Sequence, residues 1–148
     1  MVATVPEPPI KEPEMPTEME AKYAAWLSEW GGTYPEFLAF DWLIRKGLQV
    51  NEDFYFQSSR LGGRQLWGGA VVDFDFPSER LAWRIQGEYF HIGNPAKEAS
   101  DAMQKMALAN IGYICVDILA QDVLERRNWV LSRALNGEQV RSIHEGSF

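Results

Sequence analysis

The sequence is short of cysteine, histidine and basic residues, and each shortage closes off a class of protein. Cys115 has no second thiol with which to form an internal disulfide, and no cysteine-based zinc site can be assembled around it. It lies in the apolar run Tyr113-Ile114-Cys115-Val116, which reads as a buried strand and fits a reducing cytoplasm. The 14 Lys and Arg against 21 Asp and Glu leave a formal net charge of −7. The chain therefore lacks the overall basic field of a non-specific nucleic-acid binder, and any DNA contact has to come from a local patch or from metal ions. No run approaches the roughly 18 apolar residues that a membrane span needs, and the first residues lack a basic-then-apolar signal pattern, so no membrane association is expected.

The acidity is uneven. Residues 1–20 hold Glu7, Glu12, Glu14, Glu18 and Glu20 against Lys11 alone, so more than half of the net charge sits in the first 20 residues. Residues 1–16 also contain five of the eight prolines. Such a stretch has little to bury and reads as an extended arm, suited to docking on a protein partner. The domain proper is expected over 17–148, long enough for one hydrophobic core. Aromatic residues are abundant at 13%, so several large rings must be buried or used in contacts.

Thr17-Glu18-Met19-Glu20 has the spacing of a capping box and opens a helix with Tyr23, Trp26, Leu27 and Trp30 on one face, stopped by Gly31-Gly32. Thr33-Tyr34-Pro35-Glu36 repeats the device before a mostly apolar helix that ends at Gly47. A strand is expected over 48–57, a second over 70–76, a turn at Pro77-Ser78-Glu79-Arg80, and a return strand over 81–88. Asn94-Pro95 opens a helix to about residue 110, Gly112 closes it, and a buried strand (113–119) and a last helix (122–135) follow. The order α-α-β-β-β-α-β-α predicts an α/β protein: a mixed central β-sheet flanked by helices on both faces.

Residues two apart in a strand share a face, so Ala82, Arg84, Gln86 and Glu88 point one way and Trp83 and Ile85 the other. A polar row in a strand flanked by aromatics needs a reason, because burying unpaired polar groups is costly. If Asp73 projects to the same side from the neighbouring strand, a compact set of acids and other polar groups results, of the kind that supplies oxygen ligands to Mg²⁺.

The segment Gly69-Ala70-Val71-Val72-Asp73-Phe74, a turn, and Arg84-Ile85-Gln86-Gly87-Glu88-Tyr89-Phe90-His91 resembles the PD-(D/E)XK nuclease superfamily, most of all its very-short-patch-repair-endonuclease-like branch. Gly112-Tyr113 and Glu36 match further points of that pattern, and the resemblance covers roughly residues 33–135. It implies a restriction-endonuclease-like fold and a catalytic set of Asp73, Gln86, Glu88, His91 and Glu36. In that set Asp73 and Glu88 hold Mg²⁺ or Mn²⁺, His91 moves a proton, and Glu36 sits at the edge of the site. Arg84 and Lys105 would contact the substrate phosphate. One position departs from the pattern: most of the superfamily has a second acid where this chain has Arg84.

Two functions follow as expectations. One is a metal-dependent DNA endonuclease of the host cytoplasm or of a virion, encoded by a phage or mobile element. The other is a catalytically inactive protein of the same fold that serves as a structural or adaptor component of a viral or nucleic-acid-processing assembly. Arg84, the acidic balance and the Pro/Glu arm favour the second. Each candidate also has a plain structural explanation: Glu36 as a capping acid, Arg84 as half of a buried ion pair with Asp73 or Glu88, and Asp101 with Lys105 as a surface pair one helical turn apart.

Overall fold

The computed structural model describes residues 17–56, 72–87 and 95–140, and the chain divides into two compact units, 1–33 and 34–148. In the first unit, helix α1 (Glu18–Trp30) begins as its sequence dictates. The Thr17 hydroxyl accepts the Glu20 N–H at 3.2 Å and the Glu20 carboxylate accepts the Thr17 N–H at 3.3 Å, a complete capping box. Gly31 ends it in the left-handed conformation (φ 73°), its N–H donating to the Leu27 carbonyl.

The second unit is a mixed α/β structure. Its described elements run α2 (Tyr34–Arg45), β1 (Tyr55–Phe56), β2 (Phe74–Phe76), β3 (Leu81–Gln86), α3 (Pro95–Asn110), β4 (Ile114–Leu119) and α4 (Ala120–Leu135). The strands form one sheet in the order β1-β2-β3-β4, antiparallel through the first three and parallel between β3 and β4. A single turn of 3-10 helix, Pro77–Glu79, joins β2 to β3, and Arg80 closes it with a positive φ of 50°. The expected first strand is much shorter than 48–57. Residues 51–53 turn, Asn51 takes a positive φ of 66°, and the Asp53 carboxylate accepts the Gln49 N–H, so that alternation resumes only near Phe54.

The two faces of the sheet differ in kind. Phe54, Phe56, Phe74, Phe76 and Trp83 are almost completely buried in a ring cluster, with Phe76 and Trp83 centroids 4.8 Å apart and Phe56 and Phe74 5.1 Å apart. Phe40 brings α2 onto this cluster, edge-on to Phe54 and Phe56. The Trp83 indole N–H donates to the Ala134 carbonyl at 2.9 Å, which places α4 on the same face beside α2. On the opposite face Val72, Ala82 and Leu108 form a smaller apolar cluster with Ile111, Tyr113 and Cys115 around it, and this is where α3 packs.

Candidate functional site

The α3 face carries the polar row. Register pairs Arg84 of β3 with Asp117 of β4 and Gln86 with Leu119, so the parallel crossover sets an acid beside the arginine. Arg84 is only 5% exposed. Its Nε donates to Asp117 Oδ1 at 2.9 Å and its Nη1 to Gln104 Oε1 at 2.8 Å, while Nη2 lies 2.5 Å from Asp101 Oδ1 and 2.8 Å from Asp117 Oδ1. Lys105 Nζ takes the other oxygen of Asp117 at 2.5 Å. Gln86 Nε2 approaches Asp117 Oδ1 at 3.4 Å. Two cations and two carboxylates thus share one knot, formally neutral, centred on Asp117. Burial works against the Arg84 charge, but Asp117, followed by Cys115 and Asp101, outweighs it and holds its pKa above the ordinary value.

The main chain at Asp117 is fixed from the far side. Its N–H donates to Gln139 Oε1 at 2.9 Å, and its carbonyl accepts from Gln139 Nε2 at 2.8 Å. Two strand residues further in, Cys115 is half-buried. Burial and then the Asp117 charge push its thiol up to about 11, against the pull of Arg84, so it stays protonated at neutral pH.

Asp73 lies just before β2 and clasps β3 on both sides of Arg84. Its N–H donates to the Trp83 carbonyl at 3.0 Å, and its Oδ2 accepts the Ile85 N–H at 2.7 Å. The carboxylate thus stands where a main-chain acceptor would stand in the ladder. This gives Asp73 a structural task that a sequence reading does not reveal. Asp75, two residues on, is completely buried, and its Oδ1 accepts the Tyr113 hydroxyl at 2.9 Å.

The structure therefore brings Arg84, Gln86 and Lys105 together around Asp117, while Asp73 is held by the main chain of β3 on the β2 side. Glu36 is buried in the first turn of α2, the helix on the opposite face of the sheet. Glu88 and His91 lie outside the described residues, as do the arm 1–16 and the basic residues Arg60 and Arg64. The described partners of Arg84 are Asp117, Asp101 and Gln104 rather than the expected Asp73, and the other expected partner, Glu88, is outside the described residues. Asp101 and Lys105, expected to pair with each other, turn inward to Arg84 and Asp117 respectively. Asp117 and Asp75 were not anticipated as polar centres, although an acid inside an apolar strand (Ile114-Cys115-Val116-Asp117-Ile118-Leu119) was the available signal.

Compared with family models, with curated proteins and with solved structures, the chain matches none. Its function has to be argued from the residues themselves. Among the described residues no three His, Cys, Asp or Glu side chains converge as a metal-binding group, and no helix is long and apolar enough to cross a membrane.

Proposed function

We propose that this chain is a metal-dependent DNA endonuclease of the PD-(D/E)XK type, with its centre at the open end of the β2–β3 hairpin. The observation that carries the reading is the Asp73 carboxylate, held at a fixed angle by the Ile85 N–H one residue beyond Arg84. Carboxylates that hold metals are themselves oriented by hydrogen bonds of this kind. A hairpin followed by a helix and a strand parallel to its second arm supports the same reading.

The Arg84 charge weighs less against a cation than the sequence suggests, because Asp101 and Asp117 neutralise it and draw it toward α3. Asp73 and Glu88 would hold Mg²⁺ or Mn²⁺. Mg²⁺ commonly takes one or two carboxylates and completes its shell with water and substrate phosphate, which suits a site with few protein ligands. The ion, when bound, supplies polarisation of the scissile phosphate and lowers the pKa of the attacking water. His91 would carry the proton, and Gln86, at the end of β3, would donate to a phosphate oxygen. Arg84 is fully engaged with α3 and β4, so direct phosphate contact falls to Lys105, whose side chain is 40% exposed.

A second reading rests on the same arginine. An arginine locked by Asp117, Asp101 and Gln104 at the position of the superfamily's second acid suits a catalytically inactive descendant that serves as an assembly component. Supercoiled plasmid with Mg²⁺ or Mn²⁺ separates the two. The endonuclease reading expects nicking that disappears in Asp73→Asn and in His91→Ala. Absence of nicking in the wild type, with no heat of Mn²⁺ binding by calorimetry, would leave the inactive descendant.

A further inference from the structure

The face of the sheet away from Arg84 carries a second arrangement of cations. In the outer layer of α2 and α4, the Trp42 indole N–H donates to Asn128 Oδ1 at 3.1 Å and so joins the C-terminal half of α2 to the middle of α4. Lys46 Nζ lies over the Trp42 ring at 5.1 Å. Trp129, next to Asn128, carries two guanidinium groups over its ring, Arg126 at 4.2 Å and Arg133 at 4.5 Å. Arg127 donates to the Val123 carbonyl of its own helix. Among the described residues Lys46, Arg127 and Arg133 have no carboxylate partner. The acids Asp41 and Asp122 are spent on Arg45 and Arg126, Glu125 accepts from Gln121, and Glu36 is buried. From Arg126 to Leu135 the helix contains three arginines and no acid, in a chain whose net charge is −7.

This local excess of positive charge is held in place. A guanidinium stacked on an indole keeps its outward N–H groups in a fixed fork, and an arginine so fixed loses less entropy on meeting a phosphate. The backbone is set as well: α4 departs from helical geometry at Arg126 (φ −144°, ψ 51°), so that Arg127 opens a fresh helical stretch. We infer that the outer surface of α2 and α4, around Lys46, Arg127 and Arg133, binds the phosphate backbone of duplex DNA.

Charge complementarity selects a polyanion. The stretch from Arg126 to Arg133 spans about 12 Å of helix, a length over which duplex DNA presents several phosphates. The rings point to a duplex over a single strand, because Trp42 is buried and Trp129 already carries cations where an unpaired base would stack. An acidic protein fits less well. Ile44, Leu124 and Trp129 are the large apolar residues that the described parts of the two helices expose, which is little for the apolar centre of a protein interface. The contact is therefore sequence-independent and lies on the other side of the sheet from Asp73, a second grip on DNA and not the grip on the scissile bond.

The inference rests on the DNA-binding half of the proposed function and is independent of cleavage, so it is tested in EDTA. Anisotropy of a labelled 20-base-pair duplex is followed against KCl concentration for the full-length wild type and for Lys46→Ala/Arg127→Ala/Arg133→Ala. Loss of three phosphate contacts is expected to weaken binding at least about 10-fold at low salt and to lower the slope of log K against log salt by two to three units, at about 0.9 per contact. Should the triple variant unfold, Lys46→Glu/Arg133→Glu, which changes only exposed side chains, is expected to give the same loss. Equal affinity and slope in a folded variant would overturn the inference. So would failure of the wild type to bind the duplex, or displacement of DNA by polyglutamate at equal charge. Binding in EDTA without nicking in Mg²⁺ would remove the endonuclease reading and keep this surface. Nicking with unchanged binding in the variants would do the reverse.

Discussion

The two faces of the sheet are built on opposite principles. Toward α2 and α4 the described parts of the strands present Phe54, Phe56, Phe74, Phe76 and Trp83, and the Trp83 indole N–H is met by one carbonyl. Toward α3 the same strands present Asp75, Ala82, Arg84, Cys115 and Asp117; the Arg84 and Asp117 charges answer each other, and Asp75 accepts the Tyr113 hydroxyl. The aromatic face gains its energy from area and ring geometry, which are tolerant of small displacements. The α3 face depends on paired charges, whose desolvation is repaid only while each partner is present. One face holds the unit together, and the other restricts it to a single arrangement around Asp117, where Arg84 and Lys105 meet.

The largest test of this contrast is Trp83→Ala. It removes a completely buried indole and its hydrogen bond to α4, and is expected to cost about 3–5 kcal/mol, enough to abolish a cooperative urea transition. Next comes Asp117→Ala, which leaves the buried Arg84 with Asp101 and Gln104 alone and frees Lys105. A loss of about 3 kcal/mol is expected, with much of it recovered when Arg84→Met is added, because removing both charges also removes the desolvation cost. If the double variant is no more stable than the single one, the knot is not a coupled unit. Tyr113→Phe is smaller, about 1–2 kcal/mol, since it deletes one donor to the buried Asp75 and leaves the packing intact.

The smallest effect is in pH. The Cys115 thiol is raised from 9.0 to about 11 in the folded protein, so the native state holds its proton where the unfolded chain has lost it. Stability from this group is therefore complete below pH 9 and falls as pH rises toward 11. In Cys115→Ala that decline is expected to shrink, as measured by thermal unfolding at pH 8 and pH 10. Iodoacetamide at pH 8 should label the native thiol more slowly than the unfolded one.

Local signals in the sequence were reliable where chemistry is local. Thr17 and Glu20 announce the start of α1, Gly31 its end, and Pro95 the start of α3, because caps and φ preferences act within a few residues. The alternation that set Arg84 apart from Trp83 also held, since it follows from strand geometry alone. The partner of Arg84 was not readable. Asp117 meets it only through the register of a parallel pair joined by a helix, and no short-range rule fixes that register. Asp101 and Lys105 misled for a related reason. Their spacing allows them to pair on a free helix, but burial against β3 and β4 gives each a stronger partner. The sequence marks Asp73 as a ligand through its place in the hairpin and its match to the nuclease pattern. Its bond to the Ile85 N–H supplies a structural task and, in the same act, fixes the orientation that a ligand would need.

The side chain of Gln139 has a consequence for assembly. Among the described residues β4 is the outermost strand on its side of the sheet, and an exposed strand edge invites another chain to pair with it. By offering Asp117 one acceptor and one donor from a single amide, Gln139 imitates a rung of a neighbouring strand and occupies the middle of that edge. A strand arriving from outside would have to displace it first. One glutamine thereby discourages edge-to-edge aggregation at Asp117.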